Sequence, residues 1–274
     1  MKLKVGVIQT VGTADRDYNV NRGIEKGEEL ARQGAEVLIY PEFWTCPYRT
    51  NYFTEFEEAH KGFTYKKLKA LAERERVFVV GGTIPTLDGV KRYNRCYVFN
   101  DKGEEIFSYD KRYLADMEAK KGVYIRESDN FSNGRGIGVF EIKGVTASVA
   151  VCYDLRFPEL FQAIKDMGAK IIFMPVAFGK LTGEAHYHLL TRTRAHDLGG
   201  FIVSATQGCD EDLNRGCYGK SIVAGPYGDA KIVLSDFEDA RICEIDLDEI
   251  EEVHRSLGMD RARELARHNN KSKI

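Results

Sequence analysis

The chain reads as an α/β protein made of two similar halves, and three observations predict this. Apolar runs of strand length alternate with amphipathic stretches of helix length along the whole sequence. The order of elements occurs twice. Two pairs of segments also match in residue type: Gly34-Ala-Glu-Val-Leu-Ile-Tyr-Pro41 against Gly168-Ala-Lys-Ile-Ile-Phe-Met-Pro175, and Val77-Phe-Val-Val80 against Phe201-Ile-Val-Ser204.

In the first half, Leu3–Gln9 is an apolar strand and Asn19–Gln33 an amphipathic helix ending near Gly34. Ala35–Tyr40 is a buried strand, Thr64–Arg76 a helix and Val77–Gly81 a strand. Asn94–Asn100 and Glu104–Tyr109 flank the turn Asp101-Lys-Gly103, a hairpin signal. In the second half, Val145–Val151 is a strand, Pro158–Met167 a helix and Lys170–Met174 a strand. Glu184–Leu198 is a helix and Phe201–Ala205 a strand, and a hairpin turns at Gly225-Pro-Tyr-Gly-Asp229. Two halves of this kind predict two mixed sheets packed face to face, with helices on the outer faces. Each half needs the other to close the core. Residues 1–274 are therefore read as one domain, with no linker-like composition near residues 130–144.

Composition narrows the function. With 274 residues, 43% of them hydrophobic, the chain can bury a full core. Its net charge is −2 and it has no long basic block, which argues against nucleic acid or an anionic membrane as a partner. Lys271-Ser-Lys273 is a solvated tail. No stretch reaches the ~20 apolar residues of a membrane span. The first strand is too short for a signal-peptide core. Six cysteines, at 46, 96, 152, 209, 217 and 243, form no CxxC pair, which predicts reduced cytoplasmic thiols rather than a disulfide frame or zinc site.

Chemistry is expected where strands end. Cys152 follows the apolar run Val145–Val151 and precedes the polar turn Tyr153-Asp-Leu-Arg-Phe-Pro-Glu159. That is where a parallel sheet presents a nucleophile to a crevice. The other cysteines lack such a setting. A thiol with an ordinary pKa of about 8.5 needs a nearby base or cation. Glu42, within Pro41-Glu-Phe-Trp44, is walled by aromatics and suits a base. Lys111 ends the strand Ile106–Asp110 and suits an oxyanion donor, as does the backbone N–H after the nucleophile. Such a set permits acyl transfer through a thioester. A Cys–His scheme is the rival, with His186 the first imidazole to consider. His186 and His188 are two residues apart and share no helical face, so they form no metal clamp.

Tyr40-Pro-Glu42, Tyr109-Asp-Lys-Arg-Tyr113 and Val151-Cys-Tyr-Asp-Leu-Arg-Phe-Pro-Glu159 resemble the three signature regions of the nitrilase superfamily of carbon–nitrogen hydrolases, in the family's order. Thr182–His186 and Tyr218–Ser221 are similar to later family blocks, so the resemblance covers nearly the whole chain. Cys-Tyr-Asp-Leu-Arg-Phe-Pro-Glu resembles the ω-amidase and deaminated-glutathione-amidase branch rather than the Cys-Trp-Glu of true nitrilases. The resemblance implies a four-layer α-β-β-α sandwich, a homodimer or larger homo-oligomer, and a Glu42-Lys111-Cys152 triad without cofactor or metal. It implies a fourth acidic residue sixteen positions after the lysine, where Glu127 stands; Glu118 is a nearer rival. Tyr113 departs from the family's Lys-x-His pattern.

The expected activity is hydrolysis of a small linear amide, with an ω-amide favoured. Cys152 attacks, Glu42 shuttles the proton, Lys111 and the Tyr153 N–H hold the oxyanion, and Glu127 orients the amide. For a carboxylate at the substrate's far end, Arg156 is one clamp, with an ion pair to Asp154 or Glu159 as its structural alternative. Tyr48 and Arg49 form the other clamp, and His186 lines the pocket. Nitrile hydrolysis by the same residues, and a catalytically silent scaffold, are the remaining readings.

Overall fold

The structure, a computed structural model, describes residues 1–119, 123–210, 217–258, 261–262 and 264–266. The first half supplies strands β1 (Lys2–Gln9), β2 (Val37–Ile39), β3 (Glu58–Ala59), β4 (Phe78–Val80), β5 (Ile84–Asp88), β6 (Lys91–Phe99) and β7 (Glu105–Asp110). Helices α1 (Arg16–Arg32), α2 (Thr50–Glu55) and α3 (Phe63–Glu75) lie between them. A small hairpin then pairs β8 (Asp116–Ala119) with β9 (Val123–Arg126). The second half supplies β10 (Phe140–Ile142), β11 (Val145–Val149), β12 (Ile171–Val176), β13 (Phe201–Thr206), β14 (Ile222–Ala224) and β15 (Ala230–Val233). Its helices are α4 (Pro158–Asp166), the single turn α5 (Lys180–Thr182) and α6 (His188–Leu198). Strand β16 (Asp239–Asp246) and helix α7 (Asp248–Leu257) follow.

The repeat appears as topology. Strands β1, β2 and β4 run parallel, β6 turns antiparallel to β4, and β7 returns along β6. In the other sheet, β11, β12 and β13 run parallel, β14 turns antiparallel, and β15 returns along β14. The central strands are apolar runs buried on both faces, as parallel strands require. Alternation along β2 sorts the layers. Val37 and Ile39 join the cluster shared with Ala147, Val149 and Phe173 of the second sheet, whereas Leu38 joins Leu30, Leu68 and Leu71 beneath α1 and α3. Leu160, Phe161 and Ile164 of α4 and Ala195 of α6 cover the second sheet. The layers are therefore helix, sheet, sheet, helix, as expected.

Several elements differ from the sequence reading. Strand β16, which it did not assign, pairs antiparallel with β1 from Lys2↔Asp246 to Gln9↔Asp239. The second half thus donates a strand to the first sheet. Strand β5 carries Pro85 and few apolar residues, which hid it. The helix expected at Glu184–Leu198 is instead a π turn, Gly183–Tyr187, leading into α6. Among the described residues, no helix is long and apolar enough to cross a membrane.

One edge of the molecule collects the strand ends. Strand β7 runs in the same direction as β2, because two antiparallel steps separate it from β4. Glu42 and Lys111 therefore leave the first sheet on the same side. Glu42 N donates to Val176 O at 3.3 Å, which joins that edge to the end of β12. Gly82 sits beneath it with φ +64, and a Cβ there would lie 2.2 Å from Pro41 O and 2.7 Å from the Trp44 ring. Gly82→Ala is expected to cost about 1–3 kcal/mol of stability and to displace the Glu42 segment. A denaturation midpoint read together with turnover checks both effects; wild-type values of both would show that the segment yields freely.

Candidate active site

Cys152 opens a short 3₁₀ turn, Cys152–Arg156, immediately after β11, and its φ is +44. That left-handed conformation is strained for a residue with a side chain. It is maintained by Asp154, whose Oδ2 accepts the Val151 N–H at 2.8 Å. The thiol is buried. Burial and then the Glu42 charge push its pKa well above the ordinary thiol value, with Lys111 acting in the opposite direction. The resting group is a neutral thiol that needs a base to react.

Glu42 lies on the segment after β2, followed by Phe43 at φ +49. The segment is pinned from both sheets. Phe43 N donates to Thr83 Oγ1 at 3.0 Å, and Trp44 Nε1 donates to Gly81 O at 2.8 Å. Gln207 Nε2, just past β13, donates to the carbonyls of Glu42, Phe43 and Cys46 at 3.1, 2.9 and 3.2 Å.

Lys111 is fully buried and shared by two carboxylates. Its Nζ lies 2.9 Å from Glu42 Oε1, and 2.9 and 2.8 Å from the two oxygens of Glu127. Burial works against the ammonium, but Glu127 and Glu42 outweigh it and hold its pKa above the ordinary lysine value. The two acids differ in their donors. Glu127 Oε1 also accepts from Tyr48 OH at 3.2 Å, and its Oε2 from Ala115 N at 2.9 Å. Burial pushes the Glu127 carboxyl up and Lys111 pulls it back. Three hydrogen bonds and a further ion-pair contact with Lys111 engage both of its oxygens. Glu42 Oε1 accepts from Lys111 and, at 2.8 Å, from Asn94 Nδ2, while Oε2 is buried without a hydrogen-bond partner. Only Glu42 thus keeps a free acceptor for a proton.

The remaining predicted site residues are placed as follows. Tyr48 is bonded to Glu127 and its ring lies against Phe43 and Phe53. Glu118 is exposed on β8, whereas Glu42 and Glu127 are fully buried. Arg49 is exposed at the start of α2. Arg156 is half-buried. Its Nη1 lies 3.3 Å from His186 Nδ1, and its guanidinium lies over the rings of Tyr153 and Phe178. The alternative ion pair is not formed: Asp154 is occupied by Tyr109, Tyr113 and Val151, and Glu159 is exposed. Arg156 Nε is buried with no partner. Tyr113, the departure from Lys-x-His, stacks on Phe157 at 3.7 Å. Asn94 and Gln207 were missed, although each is a polar residue within or just after an apolar strand.

Removing the shared cation isolates two buried carboxylates. Lys111→Met is expected to destabilise the fold by about 3–5 kcal/mol and to lower turnover by roughly 10²–10³. Thermal unfolding and steady-state rates measure the two separately; a variant as stable as the parent would mean that the acids are not held by this charge.

The carbon-nitrogen hydrolase family pattern matches residues 4–255. "Nitrilase homolog 2" of Dictyostelium discoideum is 33% identical over 256 residues, covering 93% of this chain and 78% of its own length. "Omega-amidase NIT2" of Homo sapiens is 30% identical over 254 residues, covering 93% and 92%. The crystal structure of Saccharomyces cerevisiae Nit3, a member of branch 10 of the nitrilase superfamily, superposes with TM-score 0.85 at 30% identity, covering 93% of this chain and 94% of that one. The chain belongs to the carbon-nitrogen hydrolase family of the nitrilase superfamily and is a hydrolase of non-peptide C–N bonds.

Proposed function

We propose that this enzyme hydrolyses small linear ω-amides through a Cys152 thioester. The observation that carries the reading is the division of labour between the two buried acids: both oxygens of Glu127 are engaged by donors, while Glu42 keeps Oε2 free beside a neutral thiol. Glu42 takes the thiol proton as Sγ attacks the amide carbon. The oxyanion is held by Lys111 Nζ and the Tyr153 N–H. Glu42 returns the proton to the amide nitrogen, the C–N bond breaks and ammonia leaves. A water that gives its proton to Glu42 attacks the thioester. The C–S bond breaks, the carboxylate departs and the thiol is restored. In this reading Glu127 acts by fixing Lys111, and its contact with the substrate is secondary.

Support for an ω-amide comes from Arg156. Among the described residues it has no carboxylate partner, it sits four residues past the nucleophile, and it carries a buried unpartnered Nε. Arginine matches the two oxygens of a carboxylate. The names of several relatives, ω-amidases, agree with this. All six cysteines are free thiols, which fits a reducing, cytoplasmic setting. The expected homo-oligomer belongs to the same proposal and is read by mass in solution.

Two outcomes are expected. A slowly processed amide should leave an acyl mass on Cys152, and Cys152→Ala should lose both adduct and activity while staying folded; activity in that variant would sink the mechanism. A free-acid ω-amide should exceed its methyl ester and a simple aliphatic amide in kcat/KM. Arg156→Gln should erase roughly 10–100-fold of that advantage, the scale of one charged hydrogen-bonded contact. Equal turnover of the neutral amides would leave a general amidase, and ammonia release only from nitriles would replace the reading altogether.

A further inference from the structure

Asp154 is fully buried within the turn that carries Cys152, yet its carboxylate is hydrogen-bonded neither to that thiol nor to the acids around Lys111. Its carboxylate instead accepts three hydrogen bonds from two separate segments. Oδ2 takes the Val151 N–H and the Tyr109 hydroxyl, each at 2.8 Å, and Oδ1 takes the Tyr113 N–H at 2.9 Å. Val151 is the residue before Cys152, whereas Tyr109 and Tyr113 stand two residues on either side of Lys111. One side chain therefore joins the nucleophile's turn to the segment that delivers the oxyanion lysine.

We propose that Asp154 is a positioning residue, whose ionised carboxylate sets the location of Cys152 relative to Lys111. This rests on the thioester reading above for its effect on turnover. The ionised form suits all three donors as they stand, since both oxygens accept. A proton on Oδ1 would face the Tyr113 N–H, and a proton on Oδ2 would require the Tyr109 hydroxyl to turn from donor to acceptor, so either one weakens the tether on the lysine side. Tyr109 stays protonated, and so able to donate, because burial pushes its own hydroxyl pKa well up. The charged and titratable groups that face Asp154 are Tyr109, Lys111 and Tyr113 from the segment that ends β7, with Cys152 and Arg156 on its own turn and Arg194 of α6 held to that turn. Arg194 donates to Leu155 O and pairs with Asp197. Burial pushes the Asp154 carboxyl up to about 6, against the pull of its backbone donors, Lys111 and Tyr109. Activity that depends on the tether is thus lost as pH falls through that range.

The test is the acid limb of kcat in folded variants. Tyr109→Phe removes one donor, disfavours the ionised carboxylate, and is expected to move the Asp154-dependent limb up by about one pH unit. KM should stay within about twofold. Asp154→Asn keeps the shape, loses one acceptor, and should lower kcat at least about tenfold while abolishing that limb. The rate at which iodoacetamide alkylates Cys152 should show the same limb and the same shift. That rate needs no substrate, so a wild-type enzyme that turns over no amide would sink the amidase reading while the tether remains measurable. The proposal is overturned if folded Asp154→Asn turns over like the parent, or if Tyr109→Phe leaves both limbs in place. A Tyr109→Phe variant that is less stable but has an unshifted limb would likewise reduce Asp154 to a structural residue.

Discussion

Everything at the candidate site is arranged around one buried ammonium. Taking Lys111 and two carboxylates out of water costs several kcal/mol per ion, and their mutual attraction offsets this only where hydrogen bonds complete the coordination. Those bonds come from Tyr48, Asn94 and the Ala115 N–H. Each belongs to a different element, so the site cannot be assembled until the first sheet, the loop after β2 and the segment around β8 and β9 are all in place. The same distribution separates two chemically identical side chains. Glu127 is held by donors on both oxygens and behaves as a fixed counter-charge. Glu42 is held on one oxygen, and the other can exchange a proton.

The high resting pKa of Cys152 follows from the same arrangement. With two acids around one lysine, the local field does not favour a thiolate, and burial opposes it further. Under the proposed mechanism such a site calls for concerted base catalysis rather than a preformed thiolate, in contrast to a Cys–His ion pair. His186, the imidazole that such a pair would have used, is instead bonded to Arg156. In the proposed mechanism the Glu42 carboxylate carries the proton, and the histidine is held beside Arg156.

Much of this was legible in the sequence because it follows strand ends. A reactive residue directly after a buried strand run, as at Glu42 and Cys152, is placed at the sheet's edge, and the matched segments at 34–41 and 168–175 revealed the two-sheet architecture. Gln207 obeys the same rule after Phe201–Thr206 but lacks an ionisable group, so it did not stand out. Asn94 was hidden because its significance depends on a contact 52 residues away in sequence. Asp154 was in view, but only as a partner for Arg156, since the proximity of Tyr109 and Tyr113 requires the fold. Strand β16 was not legible because it lies at a sheet edge with polar residues on its open face, and only its pairing with β1 gives it order.

The internal repeat shows how a symmetric scaffold supports an asymmetric reaction. Aligning Val77 with Phe201 places Thr83 opposite Gln207, and aligning Pro41 with Pro175 places Glu42 opposite Val176. Both pairs meet at the site. Glu42 N is bonded to Val176 O, and Thr83 and Gln207 grip the N–H and the carbonyl of Phe43. Equivalent strand ends from the two sheets therefore converge on one segment, at and just after Glu42. In one half the position carries a carboxylate and in the other a valine that offers only its backbone. A second carboxylate at Val176 would bring another negative charge to a site where one lysine already serves two acids, and like charges at such range raise one another's pKa. The duplication braces the segment from both sides, and only one copy carries the acid.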